Sequence, residues 1–99
     1  MNDLSAFQRD LLFVVVSLDD PYGLGIKSEL EAYQDREINP GQLYPNLNEL
    51  AERGYLDKQQ QDKRTNRYVP TEKTRRELAT RRQWEAERLD EQTPEAIAQ

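Results

Sequence analysis

Residues 39–71 limit the fold of this chain more than any other stretch. Asn39 can cap a helix, and Pro40 suits a first turn, where its missing N–H costs nothing. Leu43, Leu47 and Leu50 then form one apolar stripe at helical spacing, and Gly54 supplies a C-terminal stop. Pro45 lies inside the segment and cannot donate a backbone hydrogen bond, so the regular helix either starts near Tyr44 or kinks there. Residues 55–58 then read as a strand, 59–66 as a polar, basic turn region, and 67–69 as a returning strand closed by Pro70. This is a β-hairpin with a loop longer than a tight turn. Thr71 is placed to cap a long helix ending at about Asp90.

Two helices are expected upstream. Ser5 and Gln8 have the spacing of a capping box. Phe7, Leu11, Val14, Val15 and Leu18 follow helical spacing. The β-branched run at 11–16 would also suit a strand, but the helical pattern starts before it and continues after it, which favours a buried helix. Asp19, Asp20, Pro21, Tyr22 and Gly23 form a turn. In the next helix Leu24, Ile26, Leu30 and Tyr33 give an apolar side, opposite Glu29, Glu31, Asp35 and Glu37. The order is helix, helix, helix, hairpin, long helix. That is a mainly α (α+β) winged helix-turn-helix, in which the third helix enters the major groove with the hairpin beside it. The expected organisation is a DNA-binding domain over 1–71, a dimerisation helix over 72–90 and a frayed tail over 91–99.

Composition narrows the chemistry. The chain has 99 residues, enough for one domain, and neither cysteine nor histidine, so disulfides and thiolate metal sites are excluded and the enzyme prior falls. Asp10, Asp19 and Asp20 fit no calcium-loop spacing, and no metal or cofactor is expected. There is no apolar run of membrane-span length and no signal-peptide pattern, which reads as cytoplasmic with no membrane partner. The net charge of −5 is unusual for a nucleic-acid binder, but it is unevenly distributed. Residues 57–82 hold nine bases against four acids, and arginines outnumber lysines ten to four. One basic segment in an acidic, lysine-poor chain suggests a halophile, whose negative surface holds hydrated cations.

Pro40-Gly41, Leu43-Tyr44-Pro45, Leu47, Leu50, Gly54, Leu56, Arg67-Tyr68 and Thr71-Glu72-Lys73 together resemble the PadR-like winged-helix transcriptional regulators. The likeness extends over roughly residues 4–90, and the acidic composition is similar to the small haloarchaeal members. Thr74 departs from many members, where glycine follows the Glu-Lys pair. The resemblance implies a homodimeric regulator of double-stranded DNA that pairs through its C-terminal helix. The part after the hairpin is short, one helix without a larger extension, which argues against a small-molecule effector.

On this reading Gln42, Asn46, Glu49 and Arg53 lie along one outward flank of the third helix. Gln42 and Asn46 are expected to read bases, with Asn39 at the mouth. Tyr44 either bonds a phosphate or packs under the hairpin. Lys63, Arg64, Thr65, Asn66 and Arg67 form a basic hairpin tip for phosphates or the minor groove, and Lys73 is within reach of phosphate. Arg81 and Arg82 are expected to pair with the acidic first half or with a partner subunit. Trp84 lies off the apolar face of Leu78 and Leu89 and needs a second surface to cover it. Leu4, Phe7, Leu11, Leu78, Trp84 and Leu89 are therefore expected at a dimer interface. The expected function is sequence-specific, homodimeric transcriptional regulation on pseudo-palindromic sites, adapted to high salt. The alternative is a winged helix used only for protein contact.

Overall fold

The computed structural model describes residues 1–19, 21–62 and 65–90. The elements run α1 (Ala6–Ser17), α2 (Gly23–Gln34), α3 (Pro40–Glu52), β1 (Leu56–Gln60), β2 (Asn66–Pro70) and α4 (Glu72–Asp90). This is the expected winged helix-turn-helix order. The expected tail at 91–99, the hairpin-tip residues Lys63 and Arg64, and Asp20 lie outside the described residues.

Local chemistry sets the boundaries. The Ser5 hydroxyl accepts from Gln8 N (3.1 Å) while Gln8 Oε1 accepts from Ser5 N (3.2 Å), the capping box expected for α1. Asn39 Oδ1 accepts from Gly41 N at 2.7 Å and opens α3. α3 runs through Pro45 as one helix. It ends at Gly54, whose φ of +84° is in the left-handed region that disfavours a Cβ. Tyr55 N then bonds back to Leu50 O at 2.9 Å and starts the hairpin.

β1 and β2 pair antiparallel from Leu56 opposite Pro70 to Gln60 opposite Asn66. The ladder is longer than the sequence indicated, because Gln59 and Gln60 pair with Arg67 and Asn66 without apolar side chains to mark them. Tyr68 N also donates to Pro21 O (2.9 Å), and Tyr22 bridges to Arg67, so the hairpin is tied to the start of α2.

One core joins these elements. Leu11, Leu12 and Val15 of α1, Ile26 and Leu30 of α2, and Leu43, Leu47 and Leu50 of α3 are fully buried with Ile38 and Tyr68. α4 joins through Thr74 and Leu78. Thr74, noted in the sequence only as a departure from the usual glycine, is completely buried and donates its hydroxyl to Tyr55 O at 2.5 Å. On α2 the expected apolar side is corrected. Ile26 and Leu30 are buried, but Leu24 and Tyr33 are 76% and 73% exposed. At 100° per residue Leu24 falls about 160° from Ile26, off the face that 26 and 30 share, whereas Tyr33 lies about 20° from Ile26 but in the last turn of the helix.

Candidate nucleic-acid interface

The solvent side of α3 begins with unusually little side chain. Pro40, Gly41 and Pro45 are exposed, and none carries a long side chain to hold a partner away from the backbone. Gln42 is half-buried, and its side-chain amide makes no hydrogen bond among the described residues. Farther along, Asn48 accepts from Lys58 Nζ of β1 at 3.0 Å, a link between α3 and the hairpin. Lys58 and Asn48 were missed from sequence. Alternation from the buried Leu56 would put Lys58 on the same face as Leu56, yet it is exposed, so nothing local marked it or its partner.

Asn46 is not presented with Gln42. Its Oδ1 accepts from Gln8 Nε2 (3.1 Å) and its Nδ2 donates to Gln42 O (2.7 Å). Glu49 accepts from the same Gln8 nitrogen at 2.6 Å, and Arg53 pairs with Asp3. The flank of Asn46, Glu49 and Arg53 therefore packs toward α1 and the segment before it. The outward stripe is instead Gly41, Pro45, Asn48 and Glu52. This corrects the expected outward flank: the leucine stripe fixes the inner side of the helix, but not which polar flank meets a neighbouring element.

Tyr44 packs on the start of α2, at the cleft beside the hairpin, rather than simply under the hairpin. A Cβ on Gly23 would lie 2.6 Å from its Oη and 2.7 Å from its Cε1, so the ring rests directly on the start of α2. Tyr22, Gly23, Leu24, Tyr44, Thr65 and Asn66 line a cleft of about 160 Å³ between α2 and the hairpin. Tyr22, the N-cap of α2, makes no side-chain capping bond, so the cleft adjoins uncapped backbone N–H groups. Asn39 spends its acceptor on Gly41 and remains exposed at the mouth of α3. Thr65 N donates to Asp62 Oδ1 (2.8 Å), and Gln61 N donates to Thr65 O (2.9 Å), closing the hairpin tip. Asn66 and Arg67 follow on β2, half-buried.

Lys73 is set differently from its expected role. Its Nζ lies 4.3 Å over the Tyr55 ring and 3.5 Å from Arg53 O, at the C-terminal end of α3. A cation there complements the helix dipole and joins α4 to α3. It is at the opposite end from the exposed prolines.

The residues expected to pair subunits divide into two groups. Leu4, Leu11 and Leu78 are buried in the protomer's own core, so little of them is left to cover a second surface. Phe7 is half-buried against that core. Trp84 and Leu89 are 47% and 61% exposed. Arg81 and Arg88 stack on Trp84, at 5.0 and 4.7 Å. Arg81 pairs with Glu85 in its own helix rather than with the acidic first half. Phe13, not singled out from sequence, is 40% exposed on α1. No group of three or more potential metal ligands occurs among the described residues, and no helix there is long and apolar enough to cross a membrane.

Three helices, an adjoining hairpin and a bare helix face define a winged helix-turn-helix protein. The chain belongs to the PadR-like transcriptional regulators: residues 11–80 match the family described as "Transcriptional regulator PadR-like family". It is a family of regulators, not of enzymes. Among solved structures, the chain is similar to Halobacterium salinarum RosR grown from NaBr, at 36% identity and TM-score 0.84 over 97% of this chain and 92% of that one. It is equally similar to the complex structure of hsRosR-S1, at 36% identity and TM-score 0.85 over 98% and 91% of the two chains. The complex structure of hsRosR-SG matches at 37% identity and TM-score 0.85, over 98% and 88%. A comparison with curated proteins gives no match. The acidic composition read as halophilic agrees with relatives from Halobacterium salinarum.

Proposed function

We propose that this chain binds double-stranded DNA sequence-specifically, as a cytoplasmic homodimer acting on pseudo-palindromic sites. The observation that carries the reading is the N-terminal half of α3. Pro40, Gly41 and Pro45 leave the helix backbone uncovered, and the Gln42 amide beside them has no hydrogen-bond partner among the described residues. A glutamine amide can pair bidentately with adenine N6 and N7 in the major groove. The hairpin flanks this face with Lys58, Thr65, Asn66 and Arg67, and with Lys63 and Arg64 by sequence, and these serve phosphates. The uncapped start of α2 and the Tyr44 hydroxyl border the same cleft and favour an anion. Asn46 and Lys73 contribute indirectly, by holding α3 in place.

Dimerisation is inferred from α4. Past Leu78 its residues are exposed apart from the half-buried Arg81, so its last three turns have almost no tertiary face. A solvated helix segment of that length is marginal alone. Trp84 and Leu89 of α4 and Phe13 of α1 are exposed large apolar side chains that a second copy would cover.

The proposed setting is high salt. At about 1 M the Debye length is roughly 3 Å, so steering is lost and affinity must come from close contacts and shape. Acidic residues near the DNA would retain bound cations, giving a weak or reversed salt slope. The test is selection from a pool of genomic fragments at near-molar KCl, with Arg64→Ala as control. Enrichment of a few fragments sharing an inverted repeat, lost in the variant, is expected. No enrichment by a folded dimer would overturn the reading.

A further inference from the structure

The buried polar residue of α1 reaches the recognition surface from behind. Gln8 is 5% exposed, yet every polar atom of its side chain is bonded. Its Oε1 completes the α1 capping box, and both hydrogen bonds donated by its Nε2 go to α3, to Asn46 Oδ1 and Glu49 Oε2. The second is short and charge-assisted, at 2.6 Å. The Leu43, Leu47 and Leu50 stripe buries α3 without strong direction, because dispersion and apolar burial tolerate a small rotation. Two hydrogen bonds to successive turns of the helix do not, because rotation would leave a buried amide unsatisfied. Asn46, held by Gln8, in turn donates to the carbonyl of Gln42, next to the Gly41 carbonyl that Pro45, lacking an N–H, leaves without its ladder donor.

We propose that Gln8 is a positioning residue for DNA recognition: by its bonds to Asn46 and Glu49 it fixes the rotation of α3 about its axis. It thereby sets how Gln42 and the bare face of Gly41 and Pro45 meet base edges. Gln8 touches no DNA in this account and acts only through α3. The inference rests on the DNA-binding reading above.

Gln8→Glu tests it with little change of shape, removing the donor and placing a carboxylate beside Glu49. The charged groups around that pair are Arg53 on α3, 3.7 Å from Glu49, Asp3 paired with Arg53, and Arg9, which donates to Leu4 O. At pH 8, affinity for a fragment selected by the wild type should fall about tenfold, with binding to unrelated duplex unchanged. Relative to wild type at each pH, the loss should shrink toward about pH 5, as one shared proton lets one carboxyl donate to the other. Adding Glu49→Gln should restore part of the selective binding at pH 8, because an amide on α3 then donates to the carboxylate at position 8, while Asn46 Oδ1 stays without its donor. Gln8→Met should lose selectivity without the pH dependence. Circular dichroism melts establish that each variant is folded, and if Gln8→Glu does not fold, Gln8→Met decides. Wild-type selectivity in a folded variant, equal loss on selected and unrelated DNA, or no rescue by Glu49→Gln would overturn the proposal. A wild type that selects no fragment is a different result, and overturns the DNA-binding reading together with this one.

Discussion

Single residues carry the joins between elements. Gly23 admits the Tyr44 ring against α2, and a methyl there would strike Oη and Cε1 together. Gly23→Ala should cost about 1–3 kcal/mol, measured by urea unfolding, because the ring cannot bend away as a flexible chain could. Thr74 sits unexposed beneath the turn into α4 with its hydroxyl on Tyr55 O. Thr74→Val keeps the shape and should lose about 1 kcal/mol. Glu31 accepts from the Lys27 ammonium (2.7 Å) and from Ile38 N (2.8 Å). These bonds, the one from Lys27 foremost, hold its carboxyl below the usual carboxylate range. A depressed folded pKa stabilises the protein above the unfolded carboxylate pKa, and that stability is lost as pH falls through the folded value. Glu31→Gln should therefore melt below wild type at pH 7 and converge with it below about pH 3. Of these joins only the Lys27–Glu31 pair, four residues apart on one helix, is local; the contacts of Gly23 with Tyr44 and of Thr74 with Tyr55 are not. The Ser5 and Gln8 capping box was legible because its partners are three residues apart, whereas the bonds from Gln8 to α3 span 38 and 41 residues.

Elements were legible where burial repeats with a period. The α3 leucines announced both the helix and its inner side, and Leu47→Ala should cost about 2–5 kcal/mol, as for a buried leucine that leaves a cavity. The polar flank was harder to place, because Gln42, Asn46 and Glu49 look alike in sequence and only the position of α1 separates them. The hairpin ladder extends into Gln59 and Gln60 because backbone pairing needs no apolar side chain there. On α4, periodicity identified Leu78 but could not say that the helix would outrun the core. Its exposed second half makes Trp84 the expected anchor of subunit pairing. Trp84→Ala should weaken the dimer by about 2 kcal/mol or more in sedimentation equilibrium, with the monomer melt little changed. An unchanged dimer would place the interface elsewhere.

At the scale of the whole molecule, an acidic chain presents one bare helix face, a basic hairpin and an uncovered helix end. Net charge alone pointed away from nucleic acid; the local excess of bases at 57–82 pointed toward it. If binding relies on close contacts at high salt, log affinity for a selected fragment should fall little, or rise, as KCl approaches molar concentration. A steep negative slope persisting there would contradict the retained-cation account. Hydroxyl-radical footprinting of the selected fragment with wild-type protein tests the central claim most directly. Two symmetry-related protected segments, about 10 base pairs apart centre to centre and each lost when Gln42 is replaced by Ala, are the result predicted for two α3 helices in successive major grooves. A single protected segment, or protection that survives Gln42→Ala unchanged, would contradict a homodimer that reads DNA through the start of α3.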